Sequence, residues 1–267
     1  MSKVVLITGA SSGIGKAAAE FLSAKGLKVY GTGRNPKKND NNGYSLIALD
    51  VTKPETITLA INLILEKEGR LDVLVNNAGM GITGPIEDTP TNEMRKVFET
   101  NFFGAIDMMK AVMPQMRKQQ SGTIINITSI AGYMGLPYRG LYSATKGALD
   151  LVSEAARMEV KEFGIQIATI APGDVATNIA AGRYHTPVFD NSAYKEKYQM
   201  NLDLMDSHVN SGMNPIKMAE KIYQIINLKH PNVHYKVGVF MEKFSIVLKK
   251  ILPSKIYEKL LMNHYKL

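Results

Sequence analysis

Lys3-Val4-Val5-Leu6-Ile7-Thr8-Gly9-Ala10-Ser11-Ser12-Gly13-Ile14-Gly15 is the stretch that decides the fold. An unbroken run of Val, Leu and Ile that ends in turn residues reads as a strand buried on both faces. The glycines permit a sharp turn into a helix over 13–25. They also let backbone N–H groups approach a pyrophosphate at the helix N-terminus, where the dipole favours an anion. The spacing is G-x-x-x-G-x-G, not the G-x-G-x-x-G of the general dinucleotide fingerprint. Taken alone, such a turn is also compatible with a purely structural bend.

The same alternation continues outward from this unit. Short Val- and Ile-rich runs near 27–32, 45–49, 72–76, 122–128, 165–170 and 233–238 alternate with helix-period segments at 54–68, 91–100, 102–118, 140–163 and 215–228. This is the pattern of an α/β fold: a Rossmann-like, doubly wound parallel sheet of about seven strands with helices on both faces. One domain over 1–267 is expected. Within it, 178–214 forms a long connection that reads as a substrate lid, and 240–267 forms a basic amphipathic tail.

Composition narrows the possible functions. The 267 residues are 45% hydrophobic and 21% charged, as in a globular chain. With no cysteine there is no disulfide framework, thiolate nucleophile or cysteine-based metal site. The chain runs from Met1 straight into a strand, which leaves no room for the charged and apolar regions of an export signal, so a cytoplasmic location is expected. The net charge is +8, and from Lys229 onward eight lysines face two acids. The body is thus nearly neutral, which argues against nucleic-acid binding. The stretch without charge from Gln119 to Tyr138 interleaves Ser, Gly, Thr, Asn and Pro and is a poor membrane span.

Thr8 to Gly15 resembles the cofactor loop of the classical short-chain dehydrogenase/reductase family. Further motifs follow in the family's order: Asn76-Asn77-Ala78-Gly79, Asn101, Ser129, Tyr142-Ser143-Ala144-Thr145-Lys146 and Pro172-Gly173-Asp174-Val175-Ala176-Thr177. The resemblance covers roughly residues 3 to 177. It implies that Gly9, Ser11, Ser12, Gly13, Ile14 and Gly15 cradle a dinucleotide and that Asp50 and Val51 meet its adenine. Asn77, Ala78 and Gly79 would pass the adenosine ribose, while Asn76 braces the sheet. Pro172, Gly173, Val175 and Thr177 would hold the nicotinamide. Asp50 can also serve as the turn or N-cap residue that begins the next helix, and the two roles can coexist.

The acid that would bind a ribose 2′-hydroxyl is expected at the end of the second strand. Gly33 stands there, followed by Arg34. A guanidinium holds a 2′-phosphate by charge-assisted bonds that a carboxylate would repel. NADP(H) is therefore the expected cofactor. Lys37 and Lys38 read as solvated loop lysines.

Tyr142 and Lys146 lie one turn apart and share a helix face. A free phenol is a poor base at neutral pH, but a neighbouring ammonium stabilises its phenolate. Tyr142 then gives a proton in reduction and takes one in oxidation. Ser129, at the end of a buried strand, can hold a carbonyl beside it. By resemblance, Asn101 bends its helix and relays protons to Lys146. Tyr142 and Lys146 also count among the expected cofactor contacts.

Tyr133, Met134, Leu136, Pro137 and Tyr138, together with Tyr184, Phe189, Met200, Leu202, Leu204 and Met205 of the lid, favour a bulky lipophilic carbonyl substrate. No metal is expected: His230-Pro231-Asn232-Val233-His234 has no carboxylates near it in sequence. In the tail, Phe240, Met241, Phe244, Val247, Leu248, Ile251 and Leu252 recur at helical spacing up to Pro253. Three settings suit this stripe: an anionic membrane surface, the protein's own body or a subunit interface. The expected function is NADPH-dependent reduction of a ketone or aldehyde, or the reverse oxidation. The competing reading is a non-catalytic NADP-binding sensor or membrane-docking protein. By resemblance a homodimer or homotetramer is expected, through the helices near 102–118 and 140–163.

Overall fold

A computed structural model describes residues 2–36, 43–176, 182–210 and 212–267, with the side chains of 206–210 left aside. Thr177, Lys37 and Lys38 lie outside the described residues. In chain order the elements are β1 (Val4–Ile7), α1 (Gly13–Ala24), β2 (Lys28–Gly33), β3 (Ser45–Ala48), α2 (Pro54–Glu68), β4 (Val73–Asn76), β5 (Ile82–Thr83) and α3 (Thr91–Phe98). A π-helical turn, Glu99–Phe103, leads into α4 (Gly104–Gln119), β6 (Gly122–Ile127) and α5 (Gly140–Glu159). Then come β7 (Ile165–Pro172), β8 (Tyr184–His185), α6 (Lys195–Asn210), α7 (Ile216–Ile226), β9 (His234–Val237), α8 (Phe240–Ile251) and α9 (Ser254–His264).

Seven strands form one sheet in the order β3-β2-β1-β4-β6-β7-β9, every pair parallel. Val4 to Ile7 are all buried because helices cover both faces of the sheet. On one face Leu6, Leu74 and Ile124 pack against Ile61 and Ile64 of α2 and Met108 and Val112 of α4. On the other, Val5, Val75 and Ile125 meet Ala18 and Leu22 of α1 and Met218 and Ile222 of α7. Each such Val, Ile or Leu contributes about 1.5–3 kcal/mol relative to leaving it exposed.

Strand order reverses between β1 and β4, so the connections leaving their carboxyl ends diverge and open a crevice. A third apolar cluster lies beyond the sheet. Ile246 of α8 and Tyr257 of α9 pack with Ile130, Met134 and Ala171, and so bring the tail against the body at the carboxyl ends of β6 and β7.

The 178–214 connection contains more regular structure than its sequence pattern suggests. Its described part pairs β8 with β5, Ile82 opposite Tyr184, and then forms α6. Among the described residues no helix is long and apolar enough to cross a membrane.

Candidate active site

The crevice opens into a cavity of about 1430 Å³ that runs from the glycine loop to the tail. Its wall includes Gly9, Ser11, Ser12, Gly13 and Ile14 at one end, Arg34, Asp50 and Val51 beside them, and then Asn77, Ala78 and Gly79. Further along stand Ser129, Tyr142 and Lys146, followed by Pro172, Gly173 and Val175. Two expected residues stand behind this wall. Asn101 is buried. Gly15 is a packing residue, because a Cβ there would overlap the Gly9 carbonyl and the Asn77 side chain.

The loop is held open by backbone that only glycine adopts readily, with φ of +66° at Gly9 and +54° at Gly13. Asn77 braces it from β4: its Nδ2 donates to Thr8 O at 2.9 Å and to Gly9 O at 3.2 Å. Thr8 returns the contact, its Oγ1 accepting from the N–H groups of Asn77 (3.0 Å) and Ala78 (2.9 Å). Sequence reasoning assigned Thr8 no role of its own. Asn76 turns into the sheet, where its Nδ2 donates to Ala105 O at 3.0 Å and to Asn126 Oδ1 at 2.9 Å.

Arg34 leaves β2 exposed at the cavity rim. Beside it Asp50 closes an Asx turn, its Oδ1 accepting from Thr52 N at 3.0 Å and Thr52 Oγ1 at 2.8 Å. Burial pushes the Asp50 carboxyl up. The two Thr52 bonds, with help from the charges of Arg34 and Lys53, outweigh burial and hold it below the usual carboxylate range.

At the reacting end, Lys146 is buried and its Nζ donates to Ile127 O at 2.8 Å. Burial lowers its amine below the ordinary lysine value, and the charge of an ionised Tyr142 opposes that shift. Lys146 Nζ lies 5.9 Å from the centre of the Tyr142 ring. A second cation flanks the ring: the Arg139 guanidinium, centred 5.4 Å from it, which the motif-based reading missed. Ser129 Oγ accepts from Ala131 N at 3.1 Å, so its own hydrogen is free to point elsewhere.

Asn101 sits in the π turn, the register shift that joins α3 to α4. Its Oδ1 accepts from Met80 N at 2.8 Å, and its Nδ2 donates to Met80 O at 2.9 Å and to Thr145 Oγ1 at 3.2 Å. Gly79 fills the place between Asn101 and Lys146: a Cβ there would come 3.2 Å from Asn101 Oδ1 and 3.6 Å from Lys146 Nζ.

The far wall of the cavity is apolar and comes largely from the tail: Met241, Leu248 and Leu261 face Met134, Leu136 and Met205. Tyr184 of the lid also lines it, whereas Phe189 and Met200 point to solvent. His234 differs from its sequence reading. Asp150 and Glu154 of α5 flank it, with Nδ1 3.4 Å from Asp150 Oδ1 and Nε2 3.0 Å from Glu154 Oε1. Nδ1 also lies 2.9 Å from the Thr169 hydroxyl, so the ring sits between β7 and α5.

Residues 3–187 match the short chain dehydrogenase family. A 3-ketodihydrosphingosine reductase from Bacteroides thetaiotaomicron is 39% identical over 264 residues, 98% of each chain. Among solved structures, a short-chain dehydrogenase from Streptomyces avermitilis superposes with a TM-score of 0.84 at 32% identity, covering 100% of this chain and 97% of that one. ElxO with NADP bound superposes with a TM-score of 0.72 at 31% identity, covering 89% of this chain and 97% of that one. With the sheet order, the glycine loop and the Tyr-Lys helix in place, the chain belongs to the short-chain dehydrogenase/reductase family of NAD(P)-dependent oxidoreductases.

Proposed function

We propose that the protein uses NADPH to reduce a ketone carried on a lipophilic chain. One observation carries this reading: a single cavity joins the glycine loop and Arg34 at one end, Ser129, Tyr142 and Lys146 in the middle, and an apolar wall at the other. The residues present fit the cofactor. The glycine loop leaves backbone N–H groups at a helix N-terminus for the pyrophosphate, and β2 ends in Gly33 rather than an acid, with Arg34 next in the chain to hold the 2′-phosphate. When bound, NADPH supplies the hydride for the carbonyl carbon.

The chain's own residues supply the rest. Ser129 donates its free hydroxyl hydrogen to the carbonyl oxygen, and Tyr142 donates the phenolic proton that completes the alcohol. Lys146 stabilises the resulting phenolate until a proton returns from solvent, and Arg139 adds positive charge on the same ring. Asn101 fixes the backbone at Met80 and the Thr145 hydroxyl, and through them the Tyr-Lys helix.

The apolar wall suits an alkyl chain better than a sugar. The relative named for 3-ketodihydrosphingosine supports the same substrate class. Two surface features complete the proposal. Leu151 and Met158 stand exposed on α5, which suits pairing of two copies through that helix. On α8, Phe240, Phe244, Val247 and Ile251 are 71%, 38%, 45% and 68% exposed and form an outward stripe. Lys243 and Lys250 flank that stripe, which suits an anionic bilayer surface. The test of the chemistry is NADPH consumption with 3-ketodihydrosphingosine, simple alkyl ketones, aromatic ketones and sugars. Turnover confined to sugars, or to NADH, would overturn the reading.

A further inference from the structure

One acid of the basic tail does not face solvent with the lysines. Glu242, in the first turn of α8, turns inward to a recess where the chain leaves β7 and β9. Those two exits are already joined, Gly173 N donating to Val237 O at 2.8 Å. The recess is shaped for a carboxylate. A Cβ on Gly173 or on Gly238 would overlap the Glu242 oxygens, so both glycines leave the space that Glu242 occupies.

Each carboxylate oxygen serves a different segment. Oε1 accepts from Asp174 N at 2.7 Å, in the loop after β7, and Oε2 accepts from Val239 N at 2.8 Å, at the start of α8. Capping α8 alone would need only the second bond, the reach of an N3 carboxylate back to the N-cap N–H. The first bond reaches out of the tail into the cavity wall. The loop it holds runs on to Val175, with Met213 N donating to Asp174 O at 3.0 Å and Ala176 N to Met213 O at 2.9 Å. Behind Glu242, Ile246 is buried against the body beside Ala171, so the helix that carries the carboxylate is itself anchored.

We propose that Glu242 is a positioning residue: its carboxylate holds the Gly173–Val175 loop in the shape that receives the nicotinamide end of NADPH. The basic tail is then a structural part of the cofactor site. This role rests on the NADPH reading above, and it acts on this chain's own backbone, so it can be read without turnover. NADPH affinity is measured by titration calorimetry on the native protein, Glu242→Ala, Glu242→Gln and Ile64→Ala. Ile64 lies on α2 in the core cluster on one face of the sheet, separate from the clusters that hold Val175 and Ala171. Asp174 amide exchange is followed by NMR on the same four proteins.

Loss of both charge-assisted bonds in Glu242→Ala should weaken NADPH binding on the order of tenfold and speed exchange at Asp174. Glu242→Gln retains one acceptor oxygen and should fall between that variant and the native protein. Ile64→Ala should lower the melting temperature while leaving both readouts native. Native affinity and native Asp174 protection in Glu242→Ala would overturn the role. So would an equal loss in Ile64→Ala, which would make the effect one of general stability. Absence of NADPH binding by the native protein would overturn the cofactor reading and this role together, whereas tight native binding unchanged in Glu242→Ala would overturn this role alone.

Discussion

Lys146 is tied to the carbonyl of Ile127 at 2.8 Å and stands 5.9 Å from the centre of the Tyr142 ring, so β6 and α5 together fix one cation beside one phenol. Neither the sheet nor the helix could set that distance alone.

Burial of Lys146 predicts a pH dependence of stability. Its amine is held below the ordinary lysine value near 10.5, because desolvation disfavours the charged form. Between its folded value and 10.5, the unfolded chain therefore binds a proton that the folded protein has released. Stability contributed by this site rises with pH through that window. Urea unfolding of the native protein and Lys146→Met at stepped pH should show a difference that grows in favour of the native protein as pH rises. A difference that stays flat or shrinks would contradict the account.

Asn101→Ala should cost stability as well as activity. Met80 N–H and C=O both lose a buried partner, while the Thr145 hydroxyl keeps its bond to Tyr142 O. Each buried polar group left unpaired costs about 1–3 kcal/mol, so a marked fall in the urea midpoint is expected. Native stability in this variant would show that the π turn does not depend on the side chain.

Arg34→Ala should discriminate between cofactors. Loss of a charge-assisted contact to the 2′-phosphate should weaken NADPH binding roughly 10- to 100-fold and leave NADH binding unchanged. Equal losses for both cofactors in calorimetry would mean that Arg34 supports the loop rather than reading the phosphate.

Phe240→Asp combined with Phe244→Asp should abolish flotation with vesicles of phosphatidylglycerol and phosphatidylcholine. The stripe would then meet the bilayer with two carboxylates. Neither residue lines the cavity, so turnover of a short water-soluble ketone should persist. Flotation of the native protein with phosphatidylcholine alone, as strong as with the anionic mixture, would remove the role given to the lysines.

Much of this was legible in the sequence because the central parallel strands, buried on both faces, are apolar runs, and the half-buried edge strands β3 and β9 still lie within expected strand segments. Cofactor-loop and Tyr-Lys residues were legible as motifs, and the cavity contains most of them. The α6 helix was not. Its inward positions are Tyr198, Asn201 and Met205, and the polar Asn201 breaks the apolar period. Asn201 can be buried there because its Nδ2 donates to Tyr265 O at 3.0 Å, a partner far along the chain. Orientation of the tail was also hidden. Periodicity locates the apolar stripe of α8, but burial depends on Ile246 and Glu242, which lie on the opposite face. The carboxylates beside His234 were hidden for the same reason, since they arrive from α5.

Turnover by Tyr142→Phe tests the central claim most directly. The variant removes only the phenolic oxygen and should bind NADPH with near-native affinity by calorimetry. Reduction of a long-chain ketone, followed as NADPH consumption, should fall by at least about 100-fold, the usual contribution of a positioned general acid. Native NADPH binding with lost turnover is the predicted result; full turnover in Tyr142→Phe would contradict the account.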